Sequence, residues 1–367
     1  MILPTSWKEF RLLFARLRKR GGVLQGAPDV AEQSSAVKFM MVASGWFRPK
    51  LKTTLLTALD LKVAPFLHVL TRLGGWVANT IFRGDLRWQF LPAPLRVYSS
   101  GLNFNNFDEF AGGLVLRNLK NEEDQYAEAQ KPEFRAMFKQ GISSVLKVGL
   151  WQRDFSDAVV IACPDASVVG KNFAQIAQAR GKDPVDCFLD LAIEHRTELM
   201  WTTLMGNSRA HVMQQLITSS QVHVGFADSG AHIRGLAFYN FALRLLKYTR
   251  DAELAGKPFI STGAAVSRVT AELADWYGLD AGHLRVGGRA DIAIVDPTGL
   301  DDSLDGIAEA LIENTELMRL VNRNDRAVLA TVINGQVAYS RDHGYAADLG
   351  VSQAFGRFLP ARRAANG

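Results

Sequence analysis

Val222-His223-Val224-Gly225-Phe226-Ala227-Asp228-Ser229-Gly230-Ala231-His232 is the stretch on which the reading of the fold turns. Four of its first six residues are apolar or β-branched, so it predicts a buried strand. The run closes on an acid, small flexible residues and a histidine. In α/β barrels the carboxyl ends of the strands face the active site, which would put Asp228 where chemistry is done. A carboxylate there can hold a metal-bound water and take its proton during hydrolysis. Asp-Ser-Gly is equally good turn chemistry, and the residues alone leave both readings open.

The neighbours of Asp228 carry weaker signals. His232, four residues on, can position a substrate or a metal, or bond to backbone in a loop. Arg234 can meet an anionic substrate, or be a surface charge. His223 lies roughly 16 Å back along the strand at about 3.3 Å per residue and on the other face, so it reads as a satisfied core histidine. Cys163 closes the run Ala158-Val159-Val160-Ile161-Ala162, which predicts a second buried strand pointing to the same rim; an inert buried thiol is the competing reading. Asp165 and Lys171 follow on a loop that can line the same pocket. His195 reads as a helix C-terminal dipole partner, and Asn207, Ser208 and His211 as the start of a helix. Gly74-Gly75 and Gly112-Gly113 lack the strand-glycine-helix frame of a phosphate loop. No His-x-His pair occurs anywhere in the chain.

The totals set bounds on function. A chain of 367 residues, 48% hydrophobic and 22% charged, suits one large domain plus a smaller one. A net charge of +5, concentrated near Arg16, Arg18, Lys19 and Arg20, speaks for solubility and not for a nucleic-acid partner. Two cysteines give neither a disulfide framework nor metal-type spacing, which fits a reducing cytoplasm. The apolar region from Val37 to Phe82 is broken by charges, so no membrane span or membrane partner is expected. Lys8, Glu9 and Arg11 interrupt what a signal peptide would need. Ser6 and Glu9 instead have capping-box spacing, and a basic amphipathic helix over Ser6 to Arg20, stopped by Gly21, is the expectation.

Further along, Val23 to Ala27 predicts a strand, Leu61 to Val69 a mixed stretch with a strand-like start, and Phe90 to Asn106 a long loop. Leu119 to Gln140 reads as helical. Asp183-Pro184 opens a helix, with the acid as cap and proline in the first turn. His211 to Ile217 is a helix feeding the strand that ends at Asp228. This alternation argues for a parallel α/β architecture. The tail is different: Gly288 to Pro297 is a strand with a hard stop, and Asn334-Gly335 sits between two β-rich runs as a hairpin turn.

Several segments, in order, resemble the N-acyl-D-amino-acid deacylase (D-aminoacylase) branch of the amidohydrolase superfamily. They are Ala162-Cys163-Pro164-Asp165-Ala166-Ser167 with Gly170-Lys171, Asp183-Pro184-Val185-Asp186, and Gly225 to His232. Leu273 to Leu279, Leu284 to Asp291 and Ile333-Asn334-Gly335 complete the set. The resemblance implies an α/β fold, an incomplete metal-dependent (β/α)8 (TIM) barrel over 1–283, with a small β-sandwich portion over 284–367. It implies hydrolysis of a non-peptide carbon–nitrogen bond in an N-acyl amino acid, with Asp228 as both metal ligand and general base on a zinc-bound water. Proximity alone adds His232 and Arg234 as substrate-binding residues. The family's His-x-His strand and its further Cys and His ligands have no counterpart here, so Met1 would correspond to a point midway through the barrel. The expectation is a truncated chain that does not hold zinc alone and is inactive. A non-catalytic barrel scaffold and a cyclic-amide hydrolase of the dihydropyrimidinase or hydantoinase kind are the competing readings. The sequence leaves the oligomeric state open.

Overall fold

A computed structural model describes residues 6–28, 34–46, 49–144, 149–351 and 355–361. Helix α1 (Trp7–Arg20) starts with the expected capping box between Ser6 and Glu9 and ends at Gly21, whose φ of 66° is easy only for glycine. Strand β1 (Val23–Gly26) follows, then α2 (Ser34–Ala43), β2 (Lys52–Ala58), α3 (Leu67–Trp76) and β3 (Asp85–Phe90). An inserted region then supplies β4 (Leu95–Ser100), α4 (Ala111–Asn118), α5 (Glu122–Ala129), α6 (Pro132–Ser143) and β5 (Ala158–Ala162). It closes with α7 (Phe173–Arg180), α8 (Pro184–His195) and β6 (Met200–Gly206). After α9 (Ala210–Ile217) the chain returns through β7 (Val222–Val224) to the first sheet, whose order is β1-β2-β3-β7 and whose pairs are all parallel.

Period-two patterning explains this sheet. Leu24, Leu55, Trp88, Phe90, Val222 and Val224 join one apolar core with Phe14 of α1, Phe39 of α2 and Leu216 of α9. The alternate positions, Gln25, Thr54, Arg87, Gln89 and His223, therefore face the other side. Three more helices follow β7: α10 (Phe241–Leu254), α11 (Thr262–Val269) and α12 (Ala271–Tyr277). Trp276 of α12 covers that polar side near the strand starts. Its indole donates to Asp85 at 2.8 Å, Lys52 donates to its carbonyl, and its ring meets His223 edge-on at 4.9 Å.

The insertion is a separate construction. Its antiparallel sheet, ordered β4-β6-β5, packs with α4 to α8 on an aromatic core that includes Phe107, Phe138, Trp151, Phe188 and Trp201. Asn207 and Asp60 fasten it to the parallel sheet. Asn207 donates from its backbone to the Asp60 carbonyl at 2.8 Å and accepts the Asp60 N–H at 3.0 Å; its amide also donates to the Leu91 and Ala93 carbonyls. Arg209 closes the node on the Asp60 carboxylate, with its Nε at 2.9 Å.

The chain ends in β8 (Ile292–Val295), β9 (Ala308–Leu311), β10 (Met318–Val321), β11 (Val328–Ile333), β12 (Gln336–Ser340) and β13 (Gly344–Tyr345). They form a four-stranded sheet ordered β13-β12-β11-β8 and a β9–β10 pair, all antiparallel. Asn334 and Gly335 take the positive φ values, 51° and 82°, that a tight hairpin between β11 and β12 demands. No described helix is long and apolar enough to cross a membrane.

Four expectations need correction. The strand before Asp228 stops at Val224, because only Trp88 to Phe90 are there to pair with it. Phe90 to Asn106 is not one loop, since β4 runs through it, paired with β6. The strand near Leu61 lies upstream, as β2, and α3 begins at Leu67. The run ending at Cys163 is a strand, but of the antiparallel insertion, so its end does not share the parallel sheet's rim.

His223 is core, as expected, but not satisfied. It is 2% exposed, its Nδ1 has no hydrogen-bond partner, and its Nε2 is 3.9 Å from Glu272. Burial, then Arg87 and Arg268, push its pKa from 6.5 down to about 3. The folded chain therefore keeps His223 neutral where the unfolded chain takes up a proton. Stability should fall as the pH drops from 6.5 towards 3, by on the order of 4 kcal/mol. Urea titrations across that window should show a shallower loss in His223→Gln; an identical pH slope would contradict the assignment. At the node, Asn207→Ala strands buried backbone groups and should cost about 3 kcal/mol in the same assay. A change within experimental error would mean the insertion is held elsewhere.

Candidate functional site

Past β7 the backbone leaves the sheet in a tightly tied loop. The N–H groups of Gly225 and Phe226 both donate to the Phe90 carbonyl at 3.2 Å, so the loop starts anchored to β3. Phe226, Leu236 and Phe238 then bury in the core of the insertion. Ser229, 1% exposed, is the loop's internal fastener. Its hydroxyl accepts from the Phe238 N–H at 2.7 Å and donates to the Ala227 carbonyl at 3.1 Å. The Tyr239 hydroxyl donates to the Ser229 carbonyl at 3.0 Å.

Asp228 stands at the turn of this loop with φ of 51°, a left-handed conformation that aspartate tolerates better than most residues. Its carbonyl accepts from the N–H groups of Ala231 and His232, which closes the turn. Both readings of the Asp-Ser-Gly sequence thus hold at once: the residue makes a turn and presents a carboxylate just beyond a parallel strand's carboxyl end. The side chain is one-third exposed. Burial raises its pKa above the usual aspartate range, and His232 pulls it partly back.

His232 is brought to Asp228. Its Nε2 lies 3.4 Å from Asp228 Oδ2, and Asn105 Nδ2 lies 2.8 Å from its Nδ1. With the Asn105 amide donating to Nδ1, the ring proton sits on Nε2, facing the carboxylate. Asn105 comes from the insertion and falls in the stretch read from sequence as a loop. No spacing pattern marks it; only the fold brings it to His232. A cavity of about 490 Å³ opens on this side, lined by Asn103, Asn105, Arg117, Gln125 and His232 among others. Arg117 is paired there with Asp108.

Other sequence candidates lie elsewhere. Arg234 is half-exposed and ion-paired with Glu309 of β9 at 3.2 Å. Asp165 caps the turn at Ser167 and pairs with Arg180. Cys163 is half-buried beside the insertion core, and burial raises its thiol pKa, which favours the inert form. Zinc ordinarily takes about three protein ligands. Among the described residues no group of three or more His, Cys, Asp or Glu is placed to hold a metal ion, and Asp228 with His232 makes only a pair. The described donor set does not fit a zinc site by itself.

No family model matches the chain. Uncharacterized proteins of Mycobacterium bovis and Mycobacterium tuberculosis are 42% identical to it over 339 residues, covering 91% of this chain and 56% of theirs. The chain thus spans a little over half the length of these curated relatives. Among solved structures, one of D-aminoacylase, described for its binuclear metal center, superposes with a TM-score of 0.50 at 13% identity, over 96% of this chain and 59% of that one. N-acyl-D-glutamate deacylase from Bordetella bronchiseptica, complexed with zinc and a phosphonate inhibitor, gives 0.48 at 13% identity, over 91% and 56%. With four parallel strands backed by helices, a rim loop carrying Asp228, and a superposition running nearly end to end, this chain has the fold of the corresponding part of D-aminoacylase, an incomplete amidohydrolase-type (β/α)8 barrel.

Proposed function

We propose that this chain belongs to an amidohydrolase that cleaves the amide bond of an N-acyl-D-amino acid, with Asp228 as the base. The observation that carries the reading is the seat of Asp228: just past the last parallel strand, partly desolvated, and backed by His232. The likeness to D-aminoacylase supplies the reaction class. A carboxylate held in this way keeps more basicity than a free aspartate, which suits it to removing a proton from water. The water oxygen would bond to the amide carbonyl carbon as its proton passes to Asp228. The carbon–nitrogen bond would then break, with that proton delivered to the departing amine. His232 Nε2–H would orient the carboxylate throughout, and the Asn105 cavity would hold the substrate.

The described residues do not provide the ligands of a zinc ion. In this reading a metal-dependent enzyme needs donors from outside them, and the chain alone is inactive. The same observation favours a second reading, a non-catalytic scaffold that keeps the barrel half as a binding module.

The test is release of free amino acid from N-acetyl-D-amino acids, with hydantoin and dihydrouracil as cyclic-amide controls. The chain is assayed with zinc, alone and together with the part of the mycobacterial relative that lies outside the match. Turnover should appear only in the combination, and Asp228→Asn should lower kcat by about 10²–10⁴-fold with the fold unchanged by circular dichroism. Full activity in Asp228→Asn would remove the carboxylate from the mechanism. A combination that assembles and binds zinc yet hydrolyses nothing would favour the scaffold.

A further inference from the structure

Helix α3 is turned inside out. The side chains it buries are those of His68 and Thr71, and the buried Gly75 lets it lie close on Gln221 and Trp88. Outward, from Phe66 at its cap to Trp76 at its end, it shows Phe66, Val69, Leu70, Leu73 and Trp76, each between 48% and 75% exposed. On a helix these five fall within about 120° of one another, a single stripe with the reverse polarity of an ordinary surface helix. We propose that this stripe, together with the outer side of α2, rests on the surface of a bilayer that contains anionic lipid.

The stripe is not an unfinished edge of the barrel. Helix α3 stands inside the row of helices, with Met40 of α2 against Gly74 on one side and Gln215 of α9 bonded to Arg72 at 2.8 Å on the other. Strands and helices added at either edge of the parallel sheet would leave it bare. The apolar face continues onto α2 through Val37 and Met41, and past the helix ends through Trp46, whose indole donates to the Ile81 carbonyl at 2.6 Å. Half-exposed side chains of this size leave on the order of 100 Å² bare each. The whole face thus exceeds the few hundred Å² usual on a soluble monomer.

Its charge says what covers it. Among the described residues up to Gly84 there are two acids: Glu9, bonded to Ser6 in the capping box, and Asp60, buried and paired with Arg209. Helices α2, α3 and α9 have none. Arg16, Lys19 and Arg20 of α1 are exposed, and Arg18 ties them to this face by donating to the Val42 and Pro49 carbonyls. Lys50 and Arg83, also exposed, flank Gly45 beside Trp46. Apolar side chains and tryptophans rimmed by cations suit an anionic membrane surface, where the apolar groups enter the headgroup boundary and the cations meet phosphates. A second copy docking by the same face would bring no acid to meet those cations. The contact lies on the bilayer without crossing it, in keeping with the absence of a spanning helix among the described residues. It departs from the sequence expectation of no membrane partner, which rested on the lack of a spanning segment. The periodicity of Phe66 to Trp76 becomes telling only once the buried side of α3 is known to be the polar one.

The purified chain is sedimented with vesicles of phosphatidylcholine alone and of phosphatidylcholine mixed with phosphatidylglycerol. Binding to the anionic vesicles is expected, at least about tenfold weaker to the neutral ones, and falling as salt is raised. Leu70→Gln with Leu73→Gln, both at exposed positions, should weaken it by at least about tenfold at an unchanged melting temperature. Lys19→Gln, Arg20→Gln and Lys50→Gln together should do the same. No binding to anionic vesicles overturns the proposal. Binding that ignores the leucine changes also overturns it, since charge alone would then explain the attachment. Sedimentation equilibrium without lipid covers the second copy: a dimer dissociated by the leucine changes, with no vesicle binding, gives the face to that copy and overturns the proposal. The vesicle assay is repeated on the combination with the mycobacterial segment; retained binding supports the proposal, and lost binding overturns it by giving the face to that segment. None of these outcomes depends on whether Asp228 is catalytic.

Discussion

Asn207 is completely buried, has a left-handed backbone, and trades hydrogen bonds with three residues in two separate segments of chain. The rest of the architecture depends on that contact. It sits where β6 ends, and it holds Asp60 after β2 and Leu91 and Ala93 after β3. The insertion's aromatic core packs on Leu59 and Leu61 after β2 and Leu91 after β3, but apolar contact is non-directional and does not by itself fix the register of the insertion on the parallel sheet. The node does so by pairing backbone groups that would otherwise be buried and unmatched, which is costly enough to be selective. Once the insertion is seated, Asn105 reaches His232, and the loop carrying Asp228 gains the wall that buries Phe226 and Phe238.

The loop after β7 works on the same principle at smaller scale. Three paired residues of strand are too few to aim a side chain four positions further on. The anchoring comes from Phe90, which takes two N–H groups, and from Ser229, whose hydroxyl spans the loop from Ala227 to Phe238. Asp228 is therefore positioned by hydrogen bonds made by its neighbours, leaving its carboxylate free to face His232.

The features that sequence made legible were those written in local residue order. The Ser6–Glu9 box, the Asp183 cap, the Asn334-Gly335 hairpin and the acid beyond a β-rich run each depend on residues within a few positions of one another. Strand partners are another matter. Ala158 to Ala162 reads as a buried strand whichever sheet it enters, and only its antiparallel pairing with β6 removes Cys163 from the parallel rim. Leu95 to Ser100 was hidden by flanking proline, glycine and asparagine, which mark loops in general and here merely bound a short strand. Asn105 and Asn207 show the same limit. An asparagine carries no periodic signal, and its role is set by partners far along the chain.

The two faces of the parallel sheet impose opposite demands. Parallel sheets usually bury apolar residues on both sides. Here the helix-covered face obeys that rule and the other carries Gln25, Thr54, Arg87, Gln89 and His223. Thr54 and Gln89 answer the resulting desolvation by bonding to each other at 3.4 Å. His223 cannot, and it stays neutral between two arginines because charging it there would cost more than leaving its Nδ1 unpaired. Trp276 makes this tolerable by setting an aromatic edge against the imidazole while its indole engages Asp85, so the polar face is closed at the strand starts.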